Sequence, residues 1–431
     1  MNKIPLEKTG IDVCYEKLDS GLELYIVKKE GVKQTYVTLT TKFGSEVQEF
    51  VPRSEQKMKK VPLGVAHFLE HQLFQMEDGT DPMEIFSNSG SDANAFTSTE
   101  QTTYLFSGVN ETLENLGYLI HYVSSPYFTD DSVEKEKGII IEELKMYADD
   151  PYQMLYQKML FNTLRNSPAR YPTIGTIADI KKTTKEDLIT CYNTFYHPSN
   201  MFLIVVGNVE PFDVIRVARK SEFNEQHKND PQEKIKIKEV KEPSKVLKEY
   251  EKIEMNVQIP KVSINYKLSI GQFTKEQQRK LQAYLSILFQ AKFGDTSLFV
   301  EQLQEEKVIL ETISFDHFKV GDYLIYSFMV DTKEYEEFIS RFEEEMKDLT
   351  ITEEDFRRKQ KVMISSYIYI CDSVRGISRK INNSVIHYQT IFDDEYTFRQ
   401  SLTLYELNDM VKKLSFKNKS IVVIDTKADS K

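Results

Sequence analysis

Residues 65–74 read Val-Ala-His-Phe-Leu-Glu-His-Gln-Leu-Phe and hold two of the chain's seven histidines. The stretch has the pattern of a helix, and His67 and His71 stand four apart with Glu70 between them. Positions four apart on a helix are neighbours on one face, so both imidazoles can be turned to one ion. Zinc takes neutral histidine nitrogen readily, and at a catalytic site it usually keeps three protein ligands and a water. Glu70 projects beside the pair, where it can accept a proton from such a water. The order His-x-x-Glu-His is the inverse of the His-Glu-x-x-His arrangement of other zinc sites. The plainer reading has both histidines as partly buried helix residues, bonded to backbone or to Glu70.

A metal reading needs a third ligand, and the segment Glu134 to Leu144, EKEKGIIIEEL, offers several carboxylates on a later helix. Glu136 and Glu143 are seven apart, which is two turns, so they share a face. Glu142 is rotated about 100° from Glu143. A carboxylate from this helix, packed against the histidine helix, would complete a His-His-Glu set.

The rest of the composition narrows the class. A chain of 431 residues with 40% hydrophobic content is long enough for two domains. A net charge of −11 argues against a nucleic-acid binder, since no basic footprint can be drawn. Cys14, Cys191 and Cys371 are far apart and odd in number, which excludes a disulfide framework and suggests reduced, buried thiols. The opening MNKIPLEKTGIDV lacks an apolar core of the signal-peptide kind, and the longest strongly apolar run, Met201 to Val206, has the length of a strand. The expectation is a cytoplasmic protein without a membrane span.

Organisation along the chain is of mixed type. Leu22, Leu24 and Ile26 alternate as in a strand, and Thr35 to Ser45 is a second β-rich run. Helices are expected over Pro82 to Asn88, Glu111 to Val123 and Asp131 to Tyr147, with strands through Ala93–Phe96 and Thr102–Phe106. The charge-dense stretch Glu222 to Lys252 reads as a linker flanked by an edge strand, after which strand and helix patterns begin again. A helix opening at Thr184 leads to Phe202–Val206, and one opening at Thr403 leads to Ile421–Ile424. This echo favours duplication. The fold class is therefore α+β, with two homologous domains, each a mostly antiparallel sheet with helices packed on one face. The expected boundaries are a metal-binding domain over 1–222, a linker over 223–245, and a homologous domain without a metal site over 246–431.

With these residues in view, the chain resembles the insulinase/pitrilysin superfamily of zinc peptidases. The resemblance runs in order through Gly64 to Phe74, Asn94-Ala95-Phe96-Thr97, Thr103-Tyr104, Pro126-Tyr127-Phe128, Glu136 to Leu144, Gly175-Thr176, Tyr196 to Asn200 and Val205 to Val209. It is similar to the short two-domain bacterial members, including Gram-positive peptidases found in subtilosin-type maturation operons. The resemblance implies a zinc endopeptidase with one zinc per chain, held by His67, His71 and Glu143. Glu70 is then the general base and Glu136 a supporting glutamate. The interval from His71 to Asn94 is about three residues shorter than is usual in the family, which keeps Glu142 as the fallback ligand. Asn94 and Ala95 match the edge strand on which the family lays an extended peptide. An arginine and a tyrosine that hold substrate would correspond to Arg375 or Arg379 with Tyr388, or would come from a second subunit. The resemblance further implies a homodimer, or a heterodimer with a paralogue lacking the zinc motif, enclosing a chamber for unfolded peptides. The rival readings are general oligopeptide turnover rather than processing of one precursor or leader peptide, and a non-catalytic scaffold subunit.

Overall fold

The computed structural model describes residues 1–427. It divides into two compact units, each assembled from separated stretches of chain.

The first unit comprises Met1–Leu144, Pro172–Lys238 and Tyr367–Tyr396. Its strands are β1 (Asn2–Leu6), β2 (Ile11–Lys17), β3 (Glu23–Lys28), β4 (Thr35–Thr41), β5 (Glu49–Phe50), β6 (Lys59–Lys60), β7 (Asp92–Thr97), β8 (Thr102–Gly108) and β9 (Met201–Gly207). β5 and β6 pair with each other, and the other strands form a seven-stranded sheet in the order β1-β2-β3-β9-β4-β8-β7. Only β3 and β9 run parallel. β9, MFLIVVG, is buried along its whole length. It is apolar at every position rather than every second one because both faces of the sheet are covered. Helices Thr112–Val123 and Pro211–Lys220 pack on one face, against β4 and β8 and against β3.

The other face is covered by a helix from far along the chain, Val374–Tyr388, which lies on β9 and β4. Its Val374, Ile377, Ile381 and Val385 form a stripe with helical spacing and join Val13, Val27, Ile204 and Val206 in one apolar cluster.

The second unit comprises Lys145–Tyr171, Glu239–Ser366 and the chain from Thr397 onward. Its strands, β10 (Tyr250–Met255), β11 (Lys261–Ser269), β12 (Ser314–Val320), β13 (Tyr323–Asp331) and β14 (Lys419–Thr426), are ordered β10-β14-β11-β13-β12. β10 and β14 are parallel and the other pairs antiparallel. The same order and directions appear in β3-β9-β4-β8-β7 of the first unit. The short echo at Thr184 and Thr403 has a structural counterpart: each threonine caps a helix that precedes the strand standing second in this shared five-strand order. Helix Pro151–Thr163 packs on β14 and β11, the counterparts of β9 and β4. Each sheet is therefore covered by a helix that the sequence places in the opposite half. The units trade 145–171 and 367–396 across the 223–245 stretch because the apolar stripes of those helices are buried there.

The charged stretch is only partly a linker. It begins with helix Glu222–His227, makes a bridge from Ile237 to Phe50, and continues into the edge strand β10. Within the second unit Lys267 Nζ lies 2.6 Å from Glu242 Oε1, both side chains wholly buried. Glu242 also accepts the backbone N–H groups of Arg165, Asn166 and Ser167, each at 2.8 Å. These bonds satisfy a carboxylate that would otherwise be costly to bury.

Candidate metal centre

The histidine helix, Val65–Gln72, is short, and its position is set by its entry. Gly64 has φ 80 and Gly175 has φ 87, both left-handed. A Cβ on Gly64 would sit 2.2 Å from the Ile174 carbonyl oxygen, and one on Gly175 would sit 2.6 Å from that of Leu63. Two backbone segments thus touch where no side chain fits. Val65, Ala66, Phe68 and Leu69 are buried in the core, which leaves His67 and His71 on the side facing the helix Asp130–Asp149.

From that second helix Glu143 reaches both histidines. Its Oε1 is 3.7 Å from His67 Nε2, and its Oε2 is 3.4 Å from His71 Nε2. One ligand atom from each residue lies within 4.8 Å of the others. Two atoms bound to one tetrahedral zinc are about 3.3 Å apart, so the set needs little adjustment to close on an ion. Glu142, a helical step away, is exposed and outside the group. The phase of the helix separates the two glutamates, as the 100° rotation requires.

Glu136 is one further turn pair back on the same helix and is 6% exposed. Its Oε1 is 2.8 Å from His71 Nδ1, and Gln75 Nε2 donates to its Oε2 at 3.3 Å. Such a bond fixes the ring and leaves Nε2 for a metal. His67 Nδ1 is buried with no hydrogen-bond partner among the described residues. Burial pushes the His67 imidazole down to about 3, with His71 adding to the effect, so the ring is neutral. Burial would also depress His71, but the bond and charge of Glu136, with Glu143 and Glu70, outweigh it and raise the ring above its ordinary value. Two imidazoles and a carboxylate are a donor set that zinc takes. The residues fit the ion.

Glu70 is 8% exposed. Burial holds its carboxyl above the usual carboxylate range, and a hydrogen bond from Thr97 opposes that shift. Thr97 Oγ1 donates to Glu70 Oε2 at 2.5 Å and pairs with Thr102 Oγ1 at 3.2 Å. Thr97 closes β7, so the carboxylate is tied to the end of the edge strand. Sequence reasoning gave Thr97 no role, although the alternation of β7 puts it on the face of Ala95.

Asn94 and Ala95 lie on β7, the free edge of the sheet. They line one pocket with Glu70, His71, Phe74 and Glu136. Asn94 Oδ1 accepts the Ala95 N–H at 2.8 Å, so a side chain covers one outward donor of the edge. Arg375, Arg379 and Tyr388 are placed differently. They belong to helix Val374–Tyr388, on the face of the sheet opposite Thr97 and Ala95, and Arg375 lies against the Tyr36 hydroxyl. The structure does not bring them beside the histidines.

Residues 53–177 match the model for Insulinase (Peptidase family M16), and residues 182–363 match that for the Peptidase M16 inactive domain. Over 412 residues the chain is 36% identical to the uncharacterized zinc protease YmfH of Bacillus subtilis (strain 168), covering 95% of each. The chain belongs to the insulinase family of zinc proteases. Another family member, an M16-like peptidase from Alicyclobacillus acidocaldarius, superposes with a TM-score of 0.90 at 25% identity, covering 98% of this chain and 100% of that one. The insulinase-family fold is also shared with the periplasmic protease PqqL from Escherichia coli. There the TM-score is 0.73 at 20% identity over 99% of this chain, and only 48% of the PqqL chain is covered. Among the described residues no helix is long and apolar enough to cross a membrane.

Proposed function

We propose that this chain is a zinc-dependent endopeptidase that cleaves unfolded peptides. The observation that carries the reading is the convergence of His67, His71 and Glu143 beside the buried Glu70 and the free edge of β7. The N-terminal half, 1–222, supplies this chemistry, with one zinc per chain on the three ligands, and the C-terminal half holds no counterpart among the described residues. A zinc there would supply Lewis-acid polarisation of the scissile carbonyl and acidify a neighbouring water. Glu70 takes the proton through the oxygen that Thr97 does not engage and passes it to the departing nitrogen. Glu136 and Gln75 hold the His71 ring in one orientation. β7 binds the peptide as an added strand, through backbone bonds that tolerate many sequences.

A chamber closed by two subunits completes this proposal. PqqL is about twice as long as this chain, which matches one part of it, and this supports a second subunit, identical or paralogous, as the other wall. Arg375 and Tyr388 lie on the far face of the sheet, so a group from that subunit is the better source of positive charge for the carbonyl oxygen. Processing of a precursor or leader peptide and turnover of oligopeptides both fit this chamber.

The test is Glu70→Gln. It should keep zinc and lose turnover by a factor on the order of 10²–10⁴; normal turnover would sink the assignment. In parallel, Glu143→Gln should abolish zinc binding while Glu142→Gln leaves it intact. The match over 182–363 to a domain named inactive favours one rival, a scaffold subunit without chemistry. A wild-type chain that takes up no zinc, even with the metal added, would establish that rival.

A further inference from the structure

A second group of metal-ligating side chains lies outside the centre described above. His197, His227 and Asp230 each present a ligand atom, and these atoms lie within 4.8 Å of one another. Asp230 Oδ2 stands between the rings, 2.6 Å from His227 Nδ1 and 3.3 Å from His197 Nε2. The rings meet edge to face with centroids 4.8 Å apart. All three residues belong to the first unit.

The cluster is built on fixed elements. His197 is 6% exposed and directly precedes the turn Pro198–Asn200 that leads into β9. Its Nδ1 accepts the Ser199 backbone N–H at 3.2 Å and lies 2.8 Å from Ser199 Oγ, so its Nε2 carries the proton and faces Asp230. His227 ends helix Glu222–His227 and rests edge-on against Phe223, with centroids 5.5 Å apart. A pocket lined by Tyr192, Gln226, Glu233 and Lys236 opens onto the three residues and gives an ion a way in. Three side chains of the same pocket, Arg53, Lys234 and Lys236, oppose a cation. Arg53 lies close enough to depress His197, after burial, but its guanidinium is engaged by the Thr194 carbonyl and Ser199 Oγ, and Asp230 and Glu233 offset its charge.

We propose that His197, His227 and Asp230 form a second metal site, separate from the His67/His71/Glu143 centre, for a late first-row divalent ion such as zinc. Two imidazoles and one carboxylate suit that class of ion and not magnesium or calcium, which prefer all-oxygen sets. Ligation through Nε2 would move the ring proton of His197 to Nδ1, which would exchange the Ser199 N–H bond for donation to Ser199 Oγ, 2.8 Å away. The fourth position faces the pocket. Ligation would pin the start of the charged stretch, residues 222–230, to the turn before β9.

The experiment uses the full chain with His67→Ala and His71→Ala, which removes the imidazoles of the first centre. Zinc stoichiometry is read after equilibration with excess zinc and gel filtration, and cobalt is titrated with its visible spectrum as a second readout. The expected result is about one zinc per chain, lost on adding His227→Ala and weakened at least about tenfold by Asp230→Asn. His227 and Asp230 are partly exposed, so these changes spare the core. If the double variant does not fold, wild type should hold two zinc ions and the His227→Ala variant one. Absence of zinc from the folded double variant would overturn the site. So would a stoichiometry that His227→Ala leaves unchanged.

Discussion

Thr97 shows how a hydroxyl on one strand can govern a carboxylate on a helix. Its Oγ1 donates a hydrogen bond to Glu70 Oε2 at 2.5 Å, and the carboxyl it serves is buried. Thr97→Val keeps the shape and removes the donor. It should lower kcat about tenfold with zinc content unchanged, and an unaltered kcat would mean that packing alone holds Glu70. A second buried carboxyl has a different consequence. Burial, with the charge of Glu100 beside it, pushes Glu46 up to about 7 from 4.5, against the attraction of His387. The folded chain then holds that proton more tightly than the unfolded one. The stabilising contribution is complete below about pH 4.5 and is lost as pH rises through about 7. Glu46→Gln should remove this loss and gain about 1–2 kcal/mol at pH 8 relative to pH 5, allowing for partial exposure; urea unfolding at the two pH values reads the difference. At this scale much was legible in the sequence. The spacing of His67, Glu70 and His71 needs only a helix to become a site, whereas helical phase groups Glu143 with Glu136 and only the family resemblance singled it out as the third ligand. Thr97 was not legible, because its role depends on which strand lies beside the histidine helix.

Among the elements, the eight-residue histidine helix is too short to hold itself in place. Its anchor is the contact between Gly64 and the Ile174–Gly175 backbone. Gly64→Ala places a methyl group 2.2 Å from a carbonyl oxygen in a left-handed conformation. It should cost about 2–4 kcal/mol and reduce zinc occupancy, seen as a lowered Tm together with substoichiometric metal. A stable variant with full zinc would show that the helix is positioned from its other end. Helix Val374–Tyr388 marks the opposite limit of legibility. Its apolar stripe can be read from Val374, Ile377, Ile381 and Val385, but the sheet it covers is built from strands that end at Gly207 or earlier. Periodicity reports that a face is buried and says nothing of the partner.

For the whole molecule, the repeated five-strand order shows two copies of one plan, of which only the first carries the His-x-x-Glu-His helix. The duplication left a faint trace in sequence because a strand order is kept by backbone pairing and alternating apolar character, which many residues satisfy. If a second subunit completes the chamber, specific activity should fall on dilution in step with dissociation, followed by light scattering and a fluorogenic peptide. Full activity from a monomer would exclude that arrangement. The traded helices carry one more consequence. Each sheet draws the cover of one face from beyond the 223–245 stretch, Val374–Tyr388 for the first and Pro151–Thr163 for the second. A chain split at that stretch would leave both fragments with an open apolar face and a stranded helix. Neither piece is then a domain in the folding sense, and the two should regain structure only by complementing each other.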